Sequence, residues 1–468
     1  MDADFALQLD DVMTASLVGS VAETTGMTVA VADFPAPVGG VVEIERQSGP
    51  FAQGEVVGFR DGVAIVHLLS ATSGVRRGSR ARLIRTKRSL RVGPMLLGRV
   101  IDAHGRCIDG RGQPVLPDRV PLDRLPPPPL ERPRICTPLA TGVRAIDALL
   151  TCGRGQRVGI FSGSGIGKSV LLGMMSRYTN AEVIVTGLVG ERGREVNEFL
   201  ERDLGPRGLA RSVVVVATSN EPALTRVQAA ATATAIAEYF RDAGRHVLLL
   251  VDSVTRYAMA QREIGLAAGE PPTTRGYPPS MFSLLPRLVE RAGQNRLGSI
   301  TAFYTVLVEG DDETEPVADT MRGLLDGHVW LSRKLAGRGH YPAVDVLASI
   351  SRLMNDITTP KHQAAAMMIR QLLAAHAEHE DLLSIGAYRR GSNRQVDAAV
   401  EMREAIDGLL RQSTDEAMPF DNVVERLLAL AGQCQTKLSA PTVAAAAPIL
   451  ARSASEGPTG ETLARASG

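Results

Sequence analysis

Up to about Val92 the chain alternates short apolar runs with Gly and Pro turns. Residues 27–31, 40–44, 55–59 and 63–67 each read as a strand, rich in Val and Ile. Asp61-Gly62 between the last two reads as a tight hairpin turn. Many short strands at close spacing predict a small antiparallel barrel. Upstream, Phe5, Leu9, Val12, Met13 and Leu17 fall at roughly helical spacing among acidic residues. That pattern fits a short partner-docking helix or a frayed terminus equally. After the barrel comes a proline-dense linker with Pro126 to Pro129, Pro133 and Pro138, where regular helix and central strand are excluded. From about Gly155 the period changes to strand followed by helix. Strands are predicted at 157–161, 182–188, 212–217, 247–251 and 299–306, with helices between them, notably 226–243. Such alternation predicts a mostly parallel sheet covered on both faces, an α/β class. After Thr359 the chain turns helical to about Leu438, with apolar residues at helical spacing in 364–377 and 400–411. The last stretch is rich in Ala, Ser, Gly, Pro and Thr and is predicted to be disordered beyond its apolar start.

Composition narrows the classes. At 468 residues the chain is long enough for two or three domains with buried cores. It is 44% hydrophobic and 22% charged, which is ordinary for a globular protein. The formal net charge of +1 supplies no electrostatic case for nucleic acid or an acidic membrane surface. Cys107, Cys136, Cys152 and Cys434 are too scattered for a zinc site and fit a reducing compartment. The acidic N-terminus lacks a signal peptide's basic start, and no apolar run approaches the roughly 18 residues of a membrane span. The expectation is a soluble, cytoplasmic protein.

Candidate chemistry starts at Gly159, where a strand-like run leads into Ser162-Gly163-Ser164-Gly165-Ile166-Gly167-Lys168-Ser169-Val170. A glycine-rich turn between strand and helix exposes consecutive N–H groups that can wrap a polyphosphate, and the helix N-terminus adds partial positive charge. Lys168 would reach the β- and γ-phosphates, and the Ser169 hydroxyl would bind Mg²⁺. Ser162 stands where G-x-x-x-x-G-K-[S/T] has its first glycine. The bland alternative is a strand-to-helix turn with a surface lysine. Asp252 ends the apolar run 247–251, at the sheet edge where the phosphate loop also opens, and suits an Mg²⁺ ligand acting through water. Otherwise it only caps the next turn. Glu191 follows another apolar strand, where a carboxylate can polarise the attacking water, and Arg192 beside it could contact phosphate. Otherwise the two form a charged loop and neutralise each other.

Residues 163–175 (Gly-Ser-Gly-Ile-Gly-Lys-Ser-Val-Leu-Leu-Gly-Met-Met) and 190–199 (Gly-Glu-Arg-Gly-Arg-Glu-Val-Asn-Glu-Phe) together resemble the type III export ATPases, relatives of the catalytic β subunit of rotary ATP synthases. Further matching runs are 145–156, 252–258, 298–310, 325–328, 339–345 and 349–352, and the similarity spans roughly residues 20–430. The resemblance implies a RecA-like P-loop core (97–358). It is preceded by a small N-terminal β-barrel (23–96) and a possible docking segment (1–22), and followed by a C-terminal helical domain (359–438) and a tail (439–468). It implies ATP as substrate with Mg²⁺. In its terms Glu191 is the catalytic glutamate, Tyr341 packs on the adenine ring, and Arg352 is an arginine finger reaching a neighbouring subunit's site. Carrying both sets in one chain implies a homohexameric ring. The acidic loop 309–316 would face its central pore. Implied partners are a regulator, a central stalk protein, export substrates with their chaperones, and a membrane export gate contacted peripherally at the inner membrane. Residues 379–392 resemble the flagellar members' C-terminal domain, which favours flagellar export over a virulence injectisome. A nucleic-acid translocase on a similar ring would want aromatic platforms and a basic groove, and a chain with 4% aromatic residues lacks them. Glu191 argues against a non-catalytic nucleotide-binding subunit. A rotary synthase subunit would need its finger from a partner chain.

Overall fold

The computed structural model describes residues 16–308 and 315–439. The expected N-terminal helix positions Phe5 to Met13, most of the acidic loop and the tail from residue 440 lie outside the described residues.

The first unit is a closed six-stranded antiparallel barrel, in the order β1 (Val18–Thr25), β2 (Thr28–Ala32), β5 (Val63–Leu68), β4 (Ala52–Arg60), β3 (Val41–Ile44), β6 (Arg80–Arg85). Inward residues such as Val29, Val31, Val42, Ile44, Val66 and Leu83 fill it, as the alternation of each strand requires. Asp61 and Gly62 both take positive φ, 50° and 80°, the backbone a two-residue hairpin needs to match strand twist. The barrel begins earlier than the sequence boundary at residue 23. β1 pairs with both β2 and β6 and closes the ring. Its pattern is hard to read because only Val18 to Val21 alternate, and the run Glu23 to Thr25 is exposed.

The second unit is a large sheet. Its strands are β7 (Arg99–Asp102), β8 (Arg157–Ser162), β9 (Val183–Glu191), β10 (Ser212–Thr218), β11 (His246–Asp252), β12 (Ser299–Leu307), β13 (Gly327–Leu331) and β14 (Val344–Ser351), in the spatial order β14-β13-β8-β12-β11-β9-β10-β7. All these neighbours are parallel except β13–β14. Central strands are apolar on both sides because helices cover both faces. Ile160, Ile184, Leu248 and Leu250 face one core. Val185, Val215, Leu249 and Val251 face the other. The covering helices include α1 (Arg144–Leu149), α2 (Lys168–Tyr178), α3 (Ala223–Asp242), α4 (Val254–Ala268) and α5 (Pro279–Glu290). β7 escaped the sequence reading because a four-residue Arg-Val-Ile-Asp strand carries no resolvable period.

The C-terminal helices α6 (Pro360–Glu378), α7 (Arg394–Leu410) and α8 (Phe420–Ser439) do not form an isolated bundle. Ile369, Leu372, Met402, Ile406 and Leu427 belong to the same apolar cluster as Ile146, Leu149 and the sheet residue Ile160. These helices therefore pack directly on α1 and on the sheet face that carries Ile160. Among the described residues no helix is long and apolar enough to cross a membrane.

A candidate nucleotide site at the carboxyl edge of the sheet

Because β8, β9 and β11 run parallel, their C-terminal residues Ser162, Glu191 and Asp252 reach one edge of the sheet, the edge where open α/β sheets bind ligands. From Ser162 the chain turns into α2 at Lys168. The first N–H groups of that helix have no carbonyl partner within it and point at the turn. Gly167 takes φ 95° at its N-cap, and a Cβ there would stand 3.8 Å from Tyr341 Cε1. The Tyr341 ring thus lies over the last glycine of the loop. Tyr341 as a whole is 49% exposed.

Lys168 Nζ donates to Asp252 Oδ1 and stands 3.5 Å from Glu191 Oε1. Asp252 also accepts from the Thr305 hydroxyl at 2.6 Å, which fixes its carboxylate from the neighbouring strand. Burial works against the Lys168 ammonium, but Asp252 and Glu191 outweigh it and raise its pKa. Lys168 is therefore charged at neutral pH.

Glu191 is not in a loop after its strand, as its spacing suggested, but is the last residue of β9. The pairing with β10 shifts register between Val189 and Glu191, around Gly190 at φ 72°. A bulge of this kind re-aims the next side chain. A Cβ at Gly190 would meet Arg256 Cδ at 3.0 Å, so the bulge needs glycine both for its φ and for this close approach. Glu191 is only 6% exposed, and its Oε2 lies 3.1 Å from Arg256 Nη1. Its Oε1 is buried without a hydrogen-bond partner. Burial, then the charge of Asp252, push its pKa up to about 7, against the opposing pull of Lys168 and Arg256. A carboxyl of that pKa, with one oxygen that accepts no hydrogen bond and has only the Lys168 ammonium 3.5 Å away, is suited to taking a proton near neutrality.

The structure thus brings Lys168, Glu191, Asp252 and the 162–170 loop together, with Tyr341 over the loop. It does not bring Arg192 in. That side chain is 72% exposed and pairs with Glu195 at 3.3 Å, so it neither meets the cluster nor neutralises Glu191. The arginine at Glu191 is Arg256, which the sequence reading passed over. Ser253 caps α4 by accepting from Arg256 N, and that cap sets Arg256 in the first turn of the helix, facing β9. Its position in the 252–258 run was the available signal. Arg333 was also passed over. Its Nη2 would stand 2.7 Å from a Cβ on Gly163, against the back of the phosphate loop.

Arg352 lies elsewhere. Ser162 is in register with Leu331, and Leu331 with Val344, while Ser351 pairs with Gly327 at the other end of β13. Four residues of strand separate these ends, about 13 Å at ~3.3 Å per residue. Arg352 is exposed there, its Nη2 donating to Arg322 O at 3.4 Å.

Two family descriptions match the chain: "ATP synthase alpha/beta family, nucleotide-binding domain" over residues 142–351, and "T3SS EscN ATPase C-terminal domain" over residues 358–429. A flagellum-specific ATP synthase of Bacillus subtilis is 50% identical over 417 residues, covering 89% of this chain and 94% of the relative. A type 3 secretion system ATPase of Xanthomonas euvesicatoria is 49% identical over 410 residues, covering 87% and 93%. The solved structure of the assembled ATPase EscN in complex with its central stalk EscO, from the enteropathogenic E. coli type III secretion system, superposes with a TM-score of 0.82. It is 43% identical and covers 88% of this chain and 100% of that one. Sharing about half of its residues with flagellar and secretion ATPases over nearly their whole lengths, and the same fold, the chain belongs to the type III export ATPase family.

Proposed function

We propose that the chain hydrolyses ATP at the junctions of a homohexameric ring and serves flagellar protein export. The observation that carries the site is the Lys168–Asp252–Glu191 cluster under the phosphate loop, with Glu191 Oε1 buried, facing Lys168 and accepting no hydrogen bond. In this reading the 163–170 backbone and Lys168 hold the triphosphate, Glu191 Oε1 accepts the proton of the attacking water, and Tyr341 stacks on the adenine. Arg352 of one copy enters the site of the next.

The donor set fits Mg²⁺. Among the described residues no group of three or more His, Cys, Asp or Glu side chains could hold a metal by itself. Mg²⁺ is ordinarily bound by one or two carboxylates plus substrate phosphates. The Ser169 hydroxyl and Asp252, the latter through water, are the residues that would hold it. Bound there, Mg²⁺ would neutralise charge building on the phosphate oxygens. The chain's own Lys168 already occupies the ground between Asp252 and Glu191, so it is placed to follow the phosphates.

The flagellar assignment rests on residues 379–392, since both flagellar and secretion ATPases occur among the relatives. A central stalk partner is supported by the EscN–EscO complex. The remaining partners we assign are a regulator at the N-terminal segment, export substrates with chaperones, and peripheral contact with the inner-membrane gate from the cytoplasm. Hydrolysis per subunit measured against protein concentration, with size analysis in parallel, tests the ring. Turnover should rise with assembly and stop on chelation of Mg²⁺. Full turnover in a strictly monomeric preparation would refute the shared site.

The pH profile follows from Glu191. Burial and the charge of Asp252 raise its folded pKa to about 7, so the protonated, inactive form dominates below about pH 7. The profile of kcat/KM, which reports the free enzyme, should fall roughly tenfold per pH unit below that point and level off above it. A flat profile down to pH 5.5 would contradict the role of Glu191.

A further inference from the structure

The purine side of the site is held from the helical domain. α7 ends at Leu410, and its last carbonyls are capped by a side chain from the first turn of α1. Arg144, 3% exposed at the start of α1, donates from Nε to Leu409 O at 3.0 Å. Its Nη2 donates to Arg411 O, and its Nη1 meets Glu416. A guanidinium at a helix C-terminus satisfies orphan carbonyls and opposes the negative end of the dipole. The next residue uses nearly all of its polar atoms. Gln412, 5% exposed, accepts at Oε1 from Arg144 N at 2.8 Å. Its Nε2 donates to Gly142 O at 2.9 Å and to Glu416 O at 2.8 Å. Its main-chain N–H then donates to Tyr341 O at 2.9 Å.

That last bond reaches the residue whose ring lies over Gly167. Tyr341 is half-exposed, so packing alone does not set its height. His340 before it, 3% exposed, is approached from the same helix end: Arg411 Nε lies 3.4 Å from its Nδ1, and Asp407 Oδ1 lies 3.8 Å away. The segment carrying Tyr341 is therefore fixed by residues 407–412 of the helical domain, and those residues are fixed in turn by Arg144 and Gly142 of the core.

We propose that Gln412 is a positioning residue for the base of the nucleotide. By bonding the loop before α1 with its amide and Tyr341 with its backbone, it sets the height of the Tyr341 ring above the phosphate loop. This rests on the reading of Tyr341 as the adenine platform. Gln412 touches neither phosphate nor water, so losing its side-chain bonds should weaken binding of the base and leave phosphoryl transfer alone.

The test is Gln412→Met, which keeps the volume and removes the amide. The change removes three side-chain bonds, and the KM for ATP should rise about tenfold, the size of weakening the one main-chain bond to Tyr341 that they hold in place. Meanwhile kcat should stay within about twofold, and inhibition by inorganic tripolyphosphate, which has no base, should not change. A general structural fault would shift both ligands together. In a Tyr341→Ala background the Gln412→Met change should add nothing to KM if it acts through the ring. If Gln412→Met does not fold, Arg411→Ala, on the exposed side of the same contact, should raise the ATP KM several-fold with tripolyphosphate unaffected. An unchanged ATP KM in an active, folded variant, a parallel loss of tripolyphosphate inhibition, or additivity with Tyr341→Ala would each overturn the proposal. A wild-type protein that hydrolyses no ATP would instead sink the functional reading on which it stands.

Discussion

Glu191→Gln should keep Mg·ATP binding while hydrolysis falls by about 10²–10⁴, the range for removing a positioned general base. The amide keeps the shape and can still accept from Arg256, whose Nη1 lies 3.1 Å from Oε2 in the native site. What it loses is the ability to take a proton at Oε1, the oxygen that accepts no hydrogen bond. It also loses a negative charge beside Asp252, and that repulsion is part of what raises the Glu191 pKa. Nucleotide affinity should therefore hold or improve, because one less anion faces the incoming phosphates and Lys168 keeps its partner Asp252. Equilibrium binding of a fluorescent nucleotide alongside single-turnover hydrolysis separates the two effects. The pH limb near 7 should vanish in this variant. Near-normal turnover would remove Glu191 from the chemistry.

Arg352→Ala should lose about 10³–10⁵ in hydrolysis, or about 4–7 kcal/mol of barrier, if this arginine is the finger. Sheet topology sharpens the expectation. Within one chain Arg352 is at the far end of β13 and β14 from Ser162, further than its own side chain reaches back to the phosphate loop. Its effect on rate then has to be exerted on another copy. A planar, bidentate guanidinium suits three charged oxygens better than a lysine would, so Arg352→Lys should rescue little. Mixing Arg352→Ala with Glu191→Gln protein should restore activity. Some junctions in mixed rings would pair an intact Glu191 from one copy with an intact Arg352 from the next. Mixed rings that form yet stay dead at every ratio would end the shared-site idea, and restored activity would rule out a uniform structural defect in either variant.

Much of this fold was legible because its signals are local. The Asp61-Gly62 turn was readable because a two-residue hairpin demands positive φ, and both residues adopt it. The strands ending at Ser162 and Asp252 were readable because a run buried on both faces is continuously apolar. Local reading failed where an element depends on partners. β1 is a strand only because β2 and β6 flank it. Arg192 and Arg256 are both arginines near acids, and spacing favoured Arg192, one residue from Glu191. A bulge at Gly190 and a serine cap on α4 put Arg256 against the carboxylate instead and left Arg192 with Glu195.

The sequence by itself determined the classes of element, the phosphate loop and the family, since these follow from periodicity, from turn chemistry and from residues adjacent in the chain. Only the tertiary structure decided which charges share the buried cluster, that one Glu191 oxygen accepts no hydrogen bond, that Gln412 ties the helical domain to Tyr341, and that Arg352 lies at the far end of its strands from its own loop. These depend on strand order and register, which bring together residues far apart in the chain, such as Lys168 and Asp252. The energy of such contacts comes from burial and mutual distance, and neither quantity is written in the local sequence.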